Sequence, residues 1–197
     1  AFKRKGVNNV NVVAIDNDTT GTQVARAYLD TNTSLGVILG TGTNICVRLP
    51  MEAITKDFAN KDKYQASHMI VNMESGNFNK NLNLNEYDRL LDAQSTNPNE
   101  HFEEKMVSGL YLGELMRITL LSLINQKQLF RGKTPWILKK AYQRFETKQV
   151  SDIEALDLSK RASIWKLRWL MKKLILTRKD AKTIQLVANL VSTRSAR

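Results

Sequence analysis

Residues 10–22 read VNVVAIDNDTTGT. Residues 10–15 are apolar and mostly β-branched, the pattern of a buried strand. They run into Asp16-Asn17-Asp18-Thr19-Thr20-Gly21-Thr22, a polar turn able to cap a helix, and residues 23–29 predict a short one. Outward from there, residues 35–39 (LGVIL) read as a second strand. Gly40-Thr41-Gly42-Thr43 is a tight turn and residues 44–49 a return strand, which together make a β-hairpin. A polar, irregular stretch at 51–66 leads to another strand at 68–73 (HMIVNM), ending at Glu74. Residues 75–99 are loop-rich: Asn77, Asn79, Asn81, Asn83 and Asn85 alternate through them, and Pro98 closes them. The clearest helix spans 100–128, where Met106, Leu110, Leu112, Leu115, Met116, Leu120, Leu123 and Ile124 give a broad apolar face. Residues 159–176 and 180–191 predict two more helices. Strands followed by helices indicate an α/β or α+β domain, with no boundary visible inside the chain.

The 197 residues suffice for one large domain or two small ones. A hydrophobic share of 42% with 25% charged residues excludes a disordered chain, a collagen and a disulfide-rich scaffold. No apolar run approaches the roughly 20 residues that span a bilayer. The single cysteine, Cys46, has no internal disulfide partner, which favours a reducing compartment. The basic start Ala1-Phe2-Lys3-Arg4-Lys5-Gly6 lacks a following apolar region and is not read as a signal peptide. With no initiator methionine, the chain is expected to be an internal fragment. Its net charge of +11 is uneven. Residues 1–126 carry 12 Lys+Arg against 14 Asp+Glu, a net of −2, and residues 127–197 carry 18 against 5, a net of +13. A nucleic-acid module shows such a split, and so does a fragment whose acidic complement lies elsewhere.

Polar residues gather where strands end: Asn17 and Asp18, then Gly40 to Asn44, then Glu74. Carboxylates and amides at neighbouring strand ends converge on one cleft in open sheets. An Asp beside an alcohol accepts its proton. A Gly-Thr-Gly turn exposes N–H groups and a hydroxyl that hold phosphate oxygens. Together they suggest phosphoryl transfer to a polyol. Taken singly, each has a plainer reading: a hairpin turn, a helix cap and a solvated glutamate.

Five motifs in order resemble the hexokinase family. Val12-Val13-Ala14-Ile15-Asp16-Asn17-Asp18-Thr19-Thr20-Gly21-Thr22 is similar to its catalytic-aspartate segment. Gly36-Val37-Ile38-Leu39-Gly40-Thr41-Gly42-Thr43-Asn44 is similar to its second phosphate hairpin, and Ile70-Val71-Asn72-Met73-Glu74-Ser75-Gly76 to a sugar-binding strand. Asn97-Pro98 through Glu104-Lys105, with Ser108-Gly109 and Leu112-Gly113-Glu114-Leu115-Met116-Arg117, resembles the helix that supplies a second sugar glutamate. Phe145-Glu146-Thr147, Val150-Ser151 and Ile153-Glu154 match a nucleotide-side segment. The likeness covers residues 4–197, is weakest at 158–178, and looks closest to the fungal hexokinase and glucokinase branch.

The resemblance implies an α/β, actin-like ATPase (ribonuclease H-like) fold, of which residues 1–197 would be one partial large-lobe domain. It implies ATP-dependent phosphorylation of a hexose at the 6-hydroxyl, in the cytoplasm. Asp18 would be the base; Asn17, Asn44, Glu74 and Glu104 would bind the sugar. Thr41 and Gly42 would face phosphate, and Gly109, Leu110, Thr147 and Ser151 the ATP. Mg²⁺ would be held through the nucleotide, with no metal site on the protein. The alternative is a non-catalytic sugar sensor or transcriptional regulator of the same fold, nuclear in that case.

The chain also departs from the family pattern in several places. The family's first phosphate loop, Thr-Lys sugar motif and C-terminal adenosine loop are missing, so little kinase activity is expected of this piece alone. Asp16 stands where the family has an apolar residue; it either perturbs Asp18 or points to the opposite face. Ser75 replaces a bulky aromatic after Glu74, and Asn99-Glu100-His101 replaces Gly-Gln-Gln. Both changes enlarge or alter the sugar's reducing end and make N-acetylglucosamine a candidate substrate beside glucose. The basic segment 159–179, with Trp165 and Trp169, reads as a domain helix burying Ile164, Leu167, Met171 and Leu174, or as a surface binder of nucleic acid or acidic lipid. No membrane or nucleic-acid partner is otherwise expected.

Overall fold

Helix α1 (Asp18–Ala27) starts five residues earlier than its apolar pattern suggests, because Asn17 caps it. The Asn17 side chain accepts the Thr19 N–H at 2.9 Å, which satisfies one of the open donors at the helix start. The computed structural model describes residues 5–6, 11, 15–57, 65–139, 145–172 and 175–197. The strand expected at 10–15 therefore lies almost wholly outside the described residues; Ile15 is described and is not in a strand.

The hairpin forms as expected, from β1 (Leu35–Leu39) and β2 (Thr43–Pro50). β3 (His68–Asn72) adds to β2 antiparallel, with Cys46 opposite Asn72 and Pro50 opposite His68. The sheet order is β1-β2-β3.

The chain divides into two compact units: Ala1–Ile38 with Ile45–Met73, and Leu39–Asn44 with Glu74–Arg197. In unit 1, α1 packs on β3. Its tightest point lies between α1 and the hairpin strands. Cys46 is fully buried there, its thiol donating to Gln23 Oε1 at 2.9 Å and near the Thr19 carbonyl at 3.3 Å. A Cβ on Gly36 would stand 2.8 Å from the Cys46 sulfur and 2.9 Å from Gln23 Cβ, so only glycine lets these strands and this helix meet.

Unit 2 is helical. α4 (Leu112–Asn125) is its axis, with Leu115, Met116, Ile118, Leu120 and Ile124 buried. α2 (Glu86–Gln94), α6 (Thr147–Glu154) and α8 (Arg178–Ser195) pack around it. α3 (Phe102–Val107), α5 (Trp136–Lys139) and α7 (Arg161–Leu170) complete the set. Arg194 of α8 grips Asp88 of α2 through two hydrogen bonds of 2.7 and 3.0 Å.

Three expectations need correcting. The helix predicted over 100–128 is two helices, α3 and α4, interrupted at Ser108–Tyr111. Loop 75–99 contains α2, whose Asn85–Asp88 capping box is formed on both sides. The helix predicted over 159–176 is shorter, Arg161–Leu170. It is a domain helix, as one of the two readings had it: Leu167 and Met171 are buried and Ile164 packs against the core, while Leu174 lies outside the described residues.

Candidate functional site

Asn17 and Asp18 belong to unit 1. Asp18 is the exposed first residue of α1, and its Oδ1 accepts the Thr19 hydroxyl at 3.3 Å. Asp16 serves the first turn of this helix: its carboxylate accepts the Asn17 N–H at 2.8 Å and the Thr20 hydroxyl.

All the other predicted site residues lie in unit 2. Its hairpin tip meets α3 and the loop after it. The Thr43 N–H donates to Glu104 Oε2 at 3.1 Å. Asn44 is buried, and its Oδ1 accepts the Ser75 N–H at 3.2 Å, which ties the tip to the segment that begins at Glu74. Glu74 is exposed, and its left-handed backbone (φ 50°) turns the chain into the short 3₁₀ turn Ser75–Asn77. That segment runs beside α3: the Glu103 N–H donates to Phe78 O at 3.2 Å and the Phe102 N–H to Asn79 Oδ1 at 3.0 Å. The adjacent residues Thr43 and Asn44 thus tie the tip to Glu104 and to Ser75, with Glu74 preceding Ser75.

The residues expected on the nucleotide side are also brought together, with their polar groups largely committed. The Gly109 N–H donates to Gly40 O at 2.7 Å and the Leu110 N–H to Thr41 O at 3.1 Å. The Thr147 hydroxyl donates to Gly109 O at 2.5 Å and accepts the Gly113 N–H at 3.0 Å. Thr147 therefore positions the 109–113 turn. Ser151 lies one helical turn on, exposed, its hydroxyl 3.4 Å from Thr147 O. Among the described residues the N–H groups of Thr41 and Gly42 have no acceptor, and Thr41 is exposed. Two adjacent N–H donors and a hydroxyl at an exposed tip are the donor set a phosphate needs, so the hairpin fits a nucleotide phosphate.

Sequence reasoning gave no role to Thr43, Gly113, Lys105 or Asp92. Gly113 is the sharpest omission: a Cβ there would fall 2.1 Å from Phe145 O. Lys105 is buried, with its ammonium on Asp92 Oδ1 (2.6 Å), Asn97 O (2.6 Å) and Glu100 O (2.8 Å). It pins the altered 97–101 loop, in which Asn99 and His101 take left-handed backbone (φ 67° and 54°). A positively charged residue inside an amphipathic helix was the only signal. Burial and the Glu104 charge push the Glu103 carboxyl and the Tyr111 phenol above their usual values.

The hexokinase family model matches residues 34–197. Hexokinase-2 of Homo sapiens is 38% identical over 203 residues, covering 100% of this chain and 21% of that protein. Hexokinase-1 of Mus musculus is 35% identical, covering 100% of this chain and 20% of its own. A Schistosoma mansoni hexokinase solved in complex with glucose superposes with a TM-score of 0.86 at 29% identity, covering 98% of this chain and 44% of that one. The chain spans about a fifth of the length of these curated relatives. Its described residues take up part of an actin-like ATPase fold.

Proposed function

The chain belongs to the hexokinase family, and from that premise we propose that the full protein moves the terminal phosphoryl group of ATP to the 6-hydroxyl of a hexose. Mg²⁺ travels on the nucleotide and neutralises phosphate charge when bound. The observation that carries the reading is the group built on the hairpin tip: Glu104 on the Thr43 N–H and Asn44 on the Ser75 N–H. It sets the Glu104 carboxylate and the Asn44 amide, both suited to sugar hydroxyls, beside the hairpin tip that carries the phosphate donors Thr41 and Gly42, with Glu74 next to Ser75 in the chain.

In this reading Asp18 accepts the proton of the 6-hydroxyl. Asn17, Asn44, Glu74 and Glu104 hold the ring by accepting from and donating to its other hydroxyls. Little covalent work falls to the protein, so positioning and one base supply its share of the rate. The sugar itself is glucose or a 2-substituted hexose such as N-acetylglucosamine. The second choice is supported by Ser75, whose N–H sits on Asn44 and whose buried hydroxyl has no partner among the described residues.

In the full gene product, Asp18→Ala should lower turnover about 10²- to 10⁴-fold while glucose binding persists in calorimetry. Near-normal turnover in that variant would remove Asp18 from the role. Glucose binding without turnover in the wild type would favour the non-catalytic sensor. The Ser75→Trp variant should raise the preference for glucose over N-acetylglucosamine in kcat/KM; an unmoved ratio would return Ser75 to a structural part.

A further inference from the structure

Away from the hairpin tip, unit 2 carries a concave pocket of about 370 Å³ between the start of α7 and the start of α8. Its lining includes Arg161, Trp165, Arg168, Leu176 and Arg178. Three features set it apart from an ordinary solvated basic face. Arg161, Arg168 and Arg178 have neither an ion pair nor a hydrogen-bond acceptor among the described residues. The nearby acid, Asp157, is already engaged by Ser159 (2.6 Å) and Lys160 (3.4 Å). The Arg168 Nε–H is buried and unpartnered. A guanidinium with that N–H removed from water and left without an acceptor is costly, unless an anion arrives to take it.

The aromatic wall adds shape. The Arg168 guanidinium lies over the Trp165 ring, 5.5 Å from its centroid, so the cation and the indole share one wall of the pocket. Trp165 is still 68% exposed, so one side of the indole is open to a guest. Planar guanidinium forks match the tetrahedral oxygens of phosphate through paired hydrogen bonds, which a cluster of lysines does not do. The volume falls within the range of small-ligand sites.

We propose that this pocket binds a phosphate ester, with Arg161, Arg168 and Arg178 holding the phosphate and Trp165 flanking the group that bears it. A dianionic phosphate is the favoured guest, because three unpaired cations face the space and its lining contains no carboxylate. The pocket shares no residue with the hairpin-tip group, and the proposal does not depend on the sugar-kinase reading.

The test uses this chain with inorganic pyrophosphate as the probe, read by tryptophan fluorescence and calorimetry. Wild type should bind it. Arg161→Ala and Arg168→Lys should each weaken binding about tenfold or more. Arg168→Lys keeps the charge and loses the fork, so its effect separates shape from charge. Arg89→Ala, an exposed site of equal charge change, should leave binding unmoved. A second arm sediments phosphatidylcholine vesicles with and without a tenth of a phosphoinositide. Sedimentation only with the phosphoinositide, reversed by pyrophosphate, assigns the ester to a lipid headgroup. Pyrophosphate binding without sedimentation assigns it to a free phosphate ester. Three results would overturn the proposal: no binding of either probe, equal weakening in all three variants, or pyrophosphate binding untouched by Arg161→Ala and Arg168→Lys. Binding of a single-stranded oligonucleotide that all three variants weaken alike would likewise reduce the patch to diffuse charge.

Discussion

The two units bury different kinds of side chain. Unit 2 closes on leucines, isoleucines and methionines carried by α4, α6 and α8, with Leu120, Ile153 and Ile184 at zero exposure. Among the described residues of unit 1 the buried side chains are Thr19, Gln23 and Cys46, while Tyr28 (89% exposed), Leu29 (77%) and Leu35 (52%) face solvent. A buried leucine contributes about 1.5–3 kcal/mol, whereas a three-stranded sheet with one short helix has few such residues to draw on. Unit 2 is thus held by apolar burial, and unit 1 by ladder hydrogen bonds, a helix cap and one glycine contact. The proposed base, Asp18, sits on the lightly cored unit. Asn17 sits there too, whereas the proposed sugar residues Asn44, Glu74 and Glu104 sit on the heavily cored unit, where fixed geometry is easier to maintain.

The severest way to strain this contrast is to break unit 2 from inside its polar interior. Lys105→Met removes the cation from Asp92 while leaving that carboxylate buried. The cost should be about 3–5 kcal/mol, because a buried charge stripped of its partner loses more than the pair was worth. The 97–101 loop should loosen with it, since Asn97 O and Glu100 O lose their donor. Chemical denaturation checks the first effect and proteolysis within 97–101 the second. A loss below 1 kcal/mol would mean that Asp92 finds another partner.

A paired truncation sharpens the comparison directly. Leu120→Ala, at zero exposure on α4, should cost about 2–5 kcal/mol. Leu29→Ala, just after α1, should stay within about 0.5 kcal/mol, as surface changes do. Equal losses at the two positions would show that unit 1 has an apolar core after all, and the contrast would fail.

How far each element could be read in advance depends on the range of the forces that build it. The hairpin and α8 were legible because neighbouring residues decide them: a Gly-Thr-Gly tip and an amphipathic repeat. Before α1 the polar turn was legible as a cap, but the helix was expected from residue 23 and Asn17 starts it at 18. The break between α3 and α4 was not legible. Met106 and Leu110, four residues apart, share one face across it, and nothing in residues 108–111 forbids helix. The chain leaves the helix because the Gly109 and Leu110 N–H groups turn to the carbonyls of Gly40 and Thr41, about seventy residues away. α2 was hidden differently. The alternating asparagines drew attention to loop chemistry, although Asn85 and Asp88 stood at capping-box spacing throughout. Glu104 was identified by resemblance, while its hydrogen bond to Thr43 needed the fold.

The smallest expected effect concerns a cost that unit 2 carries beside its proposed site. Glu103 Oε2 is buried without a partner among the described residues, and burial together with the Glu104 charge raises its carboxyl above the ordinary value. Between the ordinary value and the raised one, the folded chain holds a proton that the unfolded chain has released. Stability contributed at this position therefore falls as pH rises through that window, and the full penalty is present at neutral pH. Glu103→Gln keeps the shape and removes the charge. Its melting temperature should exceed wild type by about 1–3 °C at pH 7. The difference should shrink at pH 4, where wild-type Glu103 holds its proton more fully than at pH 7. Asp30→Asn in unit 1, an exposed group paired with Arg26 at 3.6 Å, should show no such gain at either pH. A gain at Glu103 that is the same at pH 4 and pH 7 would trace to packing, and the carboxylate would carry no electrostatic cost.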